Sequence, residues 1–157
     1  MLALAAGWRS NLLAGVTLLH MYISLGLAIL TCGLAVGLGD TSARRIGAIF
    51  LTSWIVSIVV YRHDPYHADM GLLIVDSLSL AGFVWVSLSG RKLWTLAACA
   101  CEAVIVASHL ALIIDLRVTM GTFILSMAMW SYGILLCIAF GTWAGWRARR
   151  RATAALS

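Results

Sequence analysis

Apolar residues form five long runs along this chain, and short polar stretches separate one run from the next. About 20 mostly apolar residues are enough for an α-helix to cross the hydrocarbon core of a bilayer. The pattern therefore predicts an all-α, polytopic membrane helix bundle with five transmembrane helices. The helices are predicted at residues 12–38, 46–61, 65–88, 93–114 and 118–146, followed by a basic tail at residues 147–157.

The composition supports a lipid environment over a soluble core. Hydrophobic residues make up 62% of the 157 residues and charged residues only 11%. In an average soluble domain, hydrophobic residues make up about 45–50% and charged residues about 25%. A chain this short cannot bury so much apolar surface in a core of its own. The predicted loops are too short for a soluble domain, so we expect one transmembrane domain whose first partner is the lipid bilayer.

Lys and Arg are distributed unequally between the two sides of a five-helix arrangement. Cytoplasmic loops of membrane proteins carry an excess of these residues. The rule therefore predicts that the N-terminus lies outside and the C-terminus lies in the cytoplasm, and we expect the bacterial inner membrane. The net charge of +5 thus reflects topology, and no nucleic-acid-binding motif accompanies it. Eight of the eleven basic residues fall on the predicted cytoplasmic side: Arg44, Arg45, Arg91, Lys92, Arg147, Arg149, Arg150 and Arg151.

Small residues recur at four-residue spacing on two of the predicted helices. Small residues let membrane helices approach each other closely, which stabilises their contact. We therefore expect tight helix packing at these positions, either within the chain or in self-association. The positions are Gly33 and Gly37 on the first helix, and Gly133, Cys137 and Gly141 on the fifth.

Four ionisable residues, His20, Asp76, Glu102 and His109, lie inside predicted spans. A charged side chain at the bilayer centre costs about 2.5–3.5 kcal/mol on insertion scales. His20, Asp76 and His109 lie at similar depths, about 8–12 Å from the outer ends of their helices, and Glu102 lies about 10 Å deeper than His109. Because one shared pocket would offset the cost, we expect the four side chains to converge there.

The loop before the third predicted helix adds four polar residues on the same side of the membrane. Asp64 followed by Pro65 is typical of a helix start, with Asp as the N-cap and Pro in the first turn. We expect the loop to form an outer mouth above the buried pocket. The mouth residues are His63, Asp64, His67 and Asp69.

Several functions fit such a pocket. Histidine and carboxylate side chains suit the binding of a cation or the relay of protons. The alternative is a non-catalytic structural or accessory subunit of a larger membrane complex, in which the same residues only hold helices together. Two narrower hypotheses are a membrane metalloenzyme with His20, Asp76 and His109 as metal ligands, and a b-type haem protein with His20 and His109 as axial ligands. No hydrolase or nucleotide-binding motif favours catalysis.

Overall fold

A computed structural model describes residues 22–63, 68–114 and 120–154, except for the side chains of residues 61–69 and residue 120. In these ranges the chain forms helices and short connections and contains no strand. The prediction of an all-α protein is therefore confirmed. The helices are α1 (Tyr22–Leu38), α2 (Thr41–His63), α3 (Ala68–Gly90), α4 (Leu93–Ile113) and α5 (Met120–Ala154).

Four of these helices, α2 to α5, are long and apolar enough to cross a membrane. Large apolar side chains on their outer faces are exposed, among them Leu78, Leu125 and Leu136 at 69–71%. Such surfaces are favourable in lipid and not in water. The structure thus indicates an integral membrane protein. The predicted span at residues 12–38 begins outside the described residues, and the shorter described part of α1 leaves the fifth span a prediction.

The chain divides into two compact units, Met1–Leu30 and Thr31–Ser157. In the first unit the described residues, 22–30, are helical. In the second unit α2 packs on α3, α3 on α4 and α4 on α5, and a smaller contact joins α2 to α5. This arrangement is the antiparallel neighbour order that short connections enforce. The largest fully buried apolar side chains in the second unit are Phe83, Ile46, Ile134 and Ile138.

Helix α2 begins five residues before its predicted start at residue 46, because Asp40 caps it. The Asp40 Oδ1 atom accepts a hydrogen bond from the Ala43 backbone N–H at 2.9 Å, as an N-cap residue does. Arg44 and Arg45, which were predicted to lie in a loop, belong to the first turns of the helix. Gly39 precedes the cap, and a Cβ atom there would collide with the Ala35 carbonyl.

The connection between α3 and α4 is also tight. Arg91 adopts a left-handed conformation with φ of 47°, and its N–H donates to the Ser87 carbonyl at 2.9 Å. A left-handed backbone costs a residue with a side chain about 1–2 kcal/mol. Gly90 lets α3 end against α2, since a Cβ atom there would lie 2.7 Å from Ser42 Oγ.

Helix α5 is much longer than predicted. Its 35 residues end at Ala154, whereas the prediction placed its end at residue 146. At 1.5 Å per residue the helix is about 52 Å long, beyond the ~30 Å of a hydrocarbon core. Residues 147–154 of the predicted basic tail are therefore a helical extension that carries four arginines.

Candidate functional site

A histidine and a carboxylate meet at the interface of α3 and α4. His109 Nε2 lies 2.9 Å from Asp76 Oδ2, with the His109 side chain 0% and the Asp76 side chain 12% exposed. The two atoms are close enough for an ion pair, but they are not aligned as a hydrogen bond. The contact therefore places an imidazole beside a carboxylate at the interface of two helices.

The second ring nitrogen of His109 is also buried. Its Nδ1 atom has no hydrogen-bond partner among the described residues. Phe123 of α5 contacts the imidazole edge to face, with ring centroids 5.1 Å apart at 72°. The aromatic neighbour fixes the orientation of the ring and supplies no hydrogen bond to its nitrogens. The imidazole is thus packed against Phe123, and neither of its nitrogens has a hydrogen-bond partner among the described residues.

Glu102 lies two helical turns from His109 on the same side of α4 and is 2% exposed. Its carboxyl is near enough to Asp76 for the two charges to interact. Residues three or four positions apart lie on the same face of a helix, and the buried residues of α4 follow these spacings. The face consists of Thr95, Ala98, Glu102, Ile105 and His109.

Polar contacts continue along the α3–α4 interface toward the connection at Arg91. Ser87 Oγ and Thr95 Oγ1 lie 3.1 Å apart, both buried. Thr95 also donates to the Lys92 carbonyl at 2.6 Å. Cys99 lies beside the Ser87 hydroxyl. The interface of these two helices is therefore polar along much of its length, although both helices are apolar in composition.

Several residues predicted for the site lie outside the described part of the chain. His20, Asp64 and His67 are among them, and the side chains of His63 and Asp69 are not described either. Within the described residues no group of three His, Cys, Asp or Glu side chains is placed to hold a metal ion. The described part of the site thus consists of Asp76, His109 and Glu102.

The small residues predicted to mediate packing have different surroundings. On α5, a Cβ atom at Gly133 would lie 3.1 Å from Cys101 Sγ, and one at Gly141 would lie 2.5 Å from the Trp94 ring. On α1, open space surrounds the corresponding positions of Gly33 and Gly37 among the described residues. The small residues of α5 therefore face α4, where Cys137 interacts with Cys101, while those of α1 face outward.

A second polar cluster, at the end of the bundle where α3 joins α4, did not emerge from sequence reasoning. Lys92 Nζ donates to Asp40 Oδ2, and Arg149 of α5 donates to the carbonyls of Leu38 and Gly39. Gly145 permits this approach, since a Cβ atom there would lie 3.3 Å from Asp40. The one available sequence signal was an isolated acid, Asp40, among the basic residues of this side.

Opposing effects act on the Asp40 carboxyl in this cluster. Partial burial favours a higher pKa, but the hydrogen bond from Lys92, the bonds from the Ala43 and Ser42 backbone and the Lys92 charge outweigh it. The pKa of Asp40 is consequently lowered from its ordinary value of 3.8. Asp40 is therefore ionised at neutral pH and stabilises the joined ends of α1, α2 and α4.

Comparison with protein-family models, with curated proteins and with solved structures found no match for this chain.

Proposed function

We propose that this protein binds protons at the Asp76–His109 pair and relays them within the membrane, with Glu102 as a second carrier. The observation that supports the proposal is the His109 imidazole, which is fully buried and 2.9 Å from a carboxylate, with an unpartnered Nδ1 among the described residues. Imidazole is the side chain whose unperturbed charge changes near neutral pH. A neighbouring carboxylate makes proton exchange between the two groups short and direct.

Energetic magnitudes favour a functional role over a purely structural one. A buried polar atom without a hydrogen bond costs about 1–3 kcal/mol. Hydrogen bonds between membrane helices contribute only about 0.6 kcal/mol on average. The contact with Asp76 leaves Nδ1 of His109 without a partner among the described residues, so it would be a poor means of joining α3 to α4. Ionisable residues inside a membrane more often mark proton or ion pathways.

Access to the pair is proposed from the end of the bundle opposite to Lys92. His109 precedes the last residue of α4, Ile113, by four positions, which is about 6 Å along the helix. The connection from α2 to α3 lies at this end, and we propose its residues as a hydrated mouth. By the positive-inside rule this end faces outward from the bacterial inner membrane. The proposed mouth residues are His63, Asp64, His67 and Asp69.

The experiment is proton flux into liposomes that contain the purified protein and a trapped pH-sensitive dye. With an imposed membrane potential, the wild-type protein should acidify the liposomes faster than empty liposomes acidify. Asp76→Asn removes the carboxylate and keeps its shape, so the flux should fall to the level of empty liposomes. His109→Gln should have the same effect. Glu102→Gln should slow the flux, because a proton must then pass the bundle centre without its carrier.

Asp40→Asn provides the matched control, since it is the same chemical change at a carboxylate outside the membrane-spanning helices. Its flux should equal that of the wild type. Wild-type flux no faster than that of empty liposomes would contradict the relay. Equal flux in wild type and Asp76→Asn would favour the second candidate, a structural role in which the pair only joins α3 to α4, as in an accessory subunit of a larger membrane complex.

A further inference from the structure

One end of the bundle concentrates positive charge. The connections at Asp40 and Arg91 and the extension of α5 meet there, as the contacts of Asp40 with Lys92 and of Arg149 with Gly39 show. Eight Lys and Arg residues belong to these segments, against the single acid Asp40, for a net charge of +7. We call this part of the second unit the basic end. A field of this sign attracts anionic lipid headgroups.

Three arginines of the basic end stack on tryptophan rings. Tryptophan prefers the headgroup level of a membrane, where one side of the ring is apolar and the other is wet. Stacking neutralises no charge, so the guanidinium groups stay available to anions. The guanidinium carbons lie over the ring centroids at 5.0 Å for Arg45 and Trp85, 5.2 Å for Arg147 and Trp143, and 4.2 Å for Arg150 and Trp146.

A shallow groove, largely open to its surroundings, runs along one face of the extension of α5 and is formed by Trp146, Arg149, Arg150, Thr153 and Ala154. The Arg149 side chain is anchored by the Leu38 and Gly39 carbonyls. The Arg150 guanidinium lies over the Trp146 ring, with its carbon 4.2 Å from the ring centroid. The groove therefore presents the Arg150 guanidinium, which forms no ion pair with the described residues, beside the Arg149 guanidinium, which hydrogen bonds hold in place.

We propose that this groove binds the phosphate of an anionic phospholipid, with the acyl chains along the apolar part of α5. A guanidinium matches phosphate oxygens with two parallel N–H donors, which a lysine cannot do. The net charge of +7 raises the local concentration of anionic lipid, and the anchored pair Arg149 and Arg150 provides the specific contact. The site is independent of the proposed proton relay, which lies between α3 and α4.

The test is native mass spectrometry of the protein released from nanodiscs that contain equal amounts of phosphatidylglycerol and phosphatidylcholine. The wild type should retain more phosphatidylglycerol than phosphatidylcholine. Arg150→Gln should lower the retained phosphatidylglycerol about tenfold or more, because it removes both the charge and the paired hydrogen bonds to the phosphate. Arg151→Gln removes the same charge from an exposed neighbour that does not line the groove, and should lower retention by about fivefold or less, the effect of one basic residue at a membrane surface.

Two further measurements complete the test. Arg150→Lys keeps the charge but lacks the planar fork, so its retention should fall between those of the wild type and Arg150→Gln. Equal losses in Arg150→Gln and Arg151→Gln would overturn the proposal, since they would show general attraction alone. Displacement of the retained lipid by inorganic phosphate at equal concentration would also overturn it, because the site would then select a free anion. Unchanged melting temperatures establish that the variants are folded.

Discussion

His109 Nε2 and Asp76 Oδ2 lie 2.9 Å apart across the interface of α3 and α4, while Nδ1 of the same imidazole has no partner among the described residues. The pair combines a short distance with an incomplete hydrogen-bond arrangement. The same geometry makes the energies of the two side chains interdependent.

A double-mutant cycle should measure this interdependence. Asp76→Asn and His109→Gln should each lower the free energy of unfolding by about 1–3 kcal/mol, because each leaves a buried polar group without its partner. The double variant should lose less than the sum of the two, since both single changes disrupt one contact. Denaturant-induced unfolding in detergent micelles, followed by circular dichroism, provides the energies. Strict additivity would show that the two side chains are not energetically coupled.

Gly141 should be intolerant of even a methyl group. A Cβ atom there would lie 2.5–2.7 Å from three atoms of the Trp94 indole, so the whole ring system would have to move. Overpacking of this kind typically costs about 1–3 kcal/mol. We therefore expect Gly141→Ala to lower the melting temperature in detergent by several degrees, although alanine is the better helix former.

Gly33→Ala is the matched control for this change. Open space surrounds the Cβ position of Gly33 among the described residues, so the same substitution should leave the melting temperature unchanged or raise it. A loss at Gly33 equal to that at Gly141 would show that the Gly33 side of α1 also packs against another helix. The sequence motifs alone do not distinguish the two glycines, because four-residue spacing shows which residues share a face but not what covers that face.

The helix boundaries illustrate how far hydropathy determines the fold. Helix α4 ends where the apolar run in the sequence ends. The observed helix, Leu93–Ile113, differs from the predicted helix at residues 93–114 by one position. The predicted start of α2 and the predicted end of α5 were wrong, because the charged residues there were assigned to a loop and a tail. Arg44 and Arg45 belong to a helix that Asp40 caps, and the arginines after Trp146 continue α5, because arginine is a good helix former outside the bilayer core as well.

The sequence predicts which ionisable residues of the candidate site lie together, but not their detailed contacts. The cost of isolated charges in lipid argues that Asp76, Glu102 and His109 should lie together, and seven-residue spacing places two of them on one side of α4. The edge-to-face contact of Phe123 depends on the rotation of α5 about its axis, which the sequence does not specify. The Arg149 contacts with the Leu38 and Gly39 carbonyls required the helical extension, which was predicted as a tail.

The Asp40–Lys92 pair should make stability depend on pH in the acidic range. Because the pKa of Asp40 is lowered in the folded protein, its stabilising contribution is complete above the ordinary value of 3.8 and disappears as the pH falls through the lowered pKa. Asp40→Asn retains a capping side chain and lacks the charge. At pH 7 the free energy of unfolding of the wild type should therefore exceed that of the variant by about 1 kcal/mol or less. At the lowest pH the two free energies should converge.

Melting temperatures of both proteins in a non-ionic detergent, from pH 7 down to pH 2.5, would check this convergence. Other carboxyl groups titrate in the same range, and the difference between wild type and variant removes their contribution. High salt should reduce the difference at pH 7, since both partners are partly exposed, at 37% for Lys92 and 28% for Asp40. A difference that persists unchanged at the lowest pH would assign the effect to the cap and not to the ion pair.

The orientation of the chain in the membrane can be tested with fused reporters. The basic end carries a net charge of +7, and the positive-inside rule then predicts that it faces the cytoplasm. A reporter that is active only in the cytoplasm should be active when it is fused after Ser157. The same reporter should be inactive when it is inserted between Arg62 and Asp69, because that connection is predicted on the opposite side. Neutralising Arg149, Arg150 and Arg151 together should weaken the preference without abolishing it, because five basic residues remain at that end. A cytoplasmic signal from the insertion between Arg62 and Asp69 would invert the arrangement, and the Asp76–His109 pair would then receive protons from the cytoplasm.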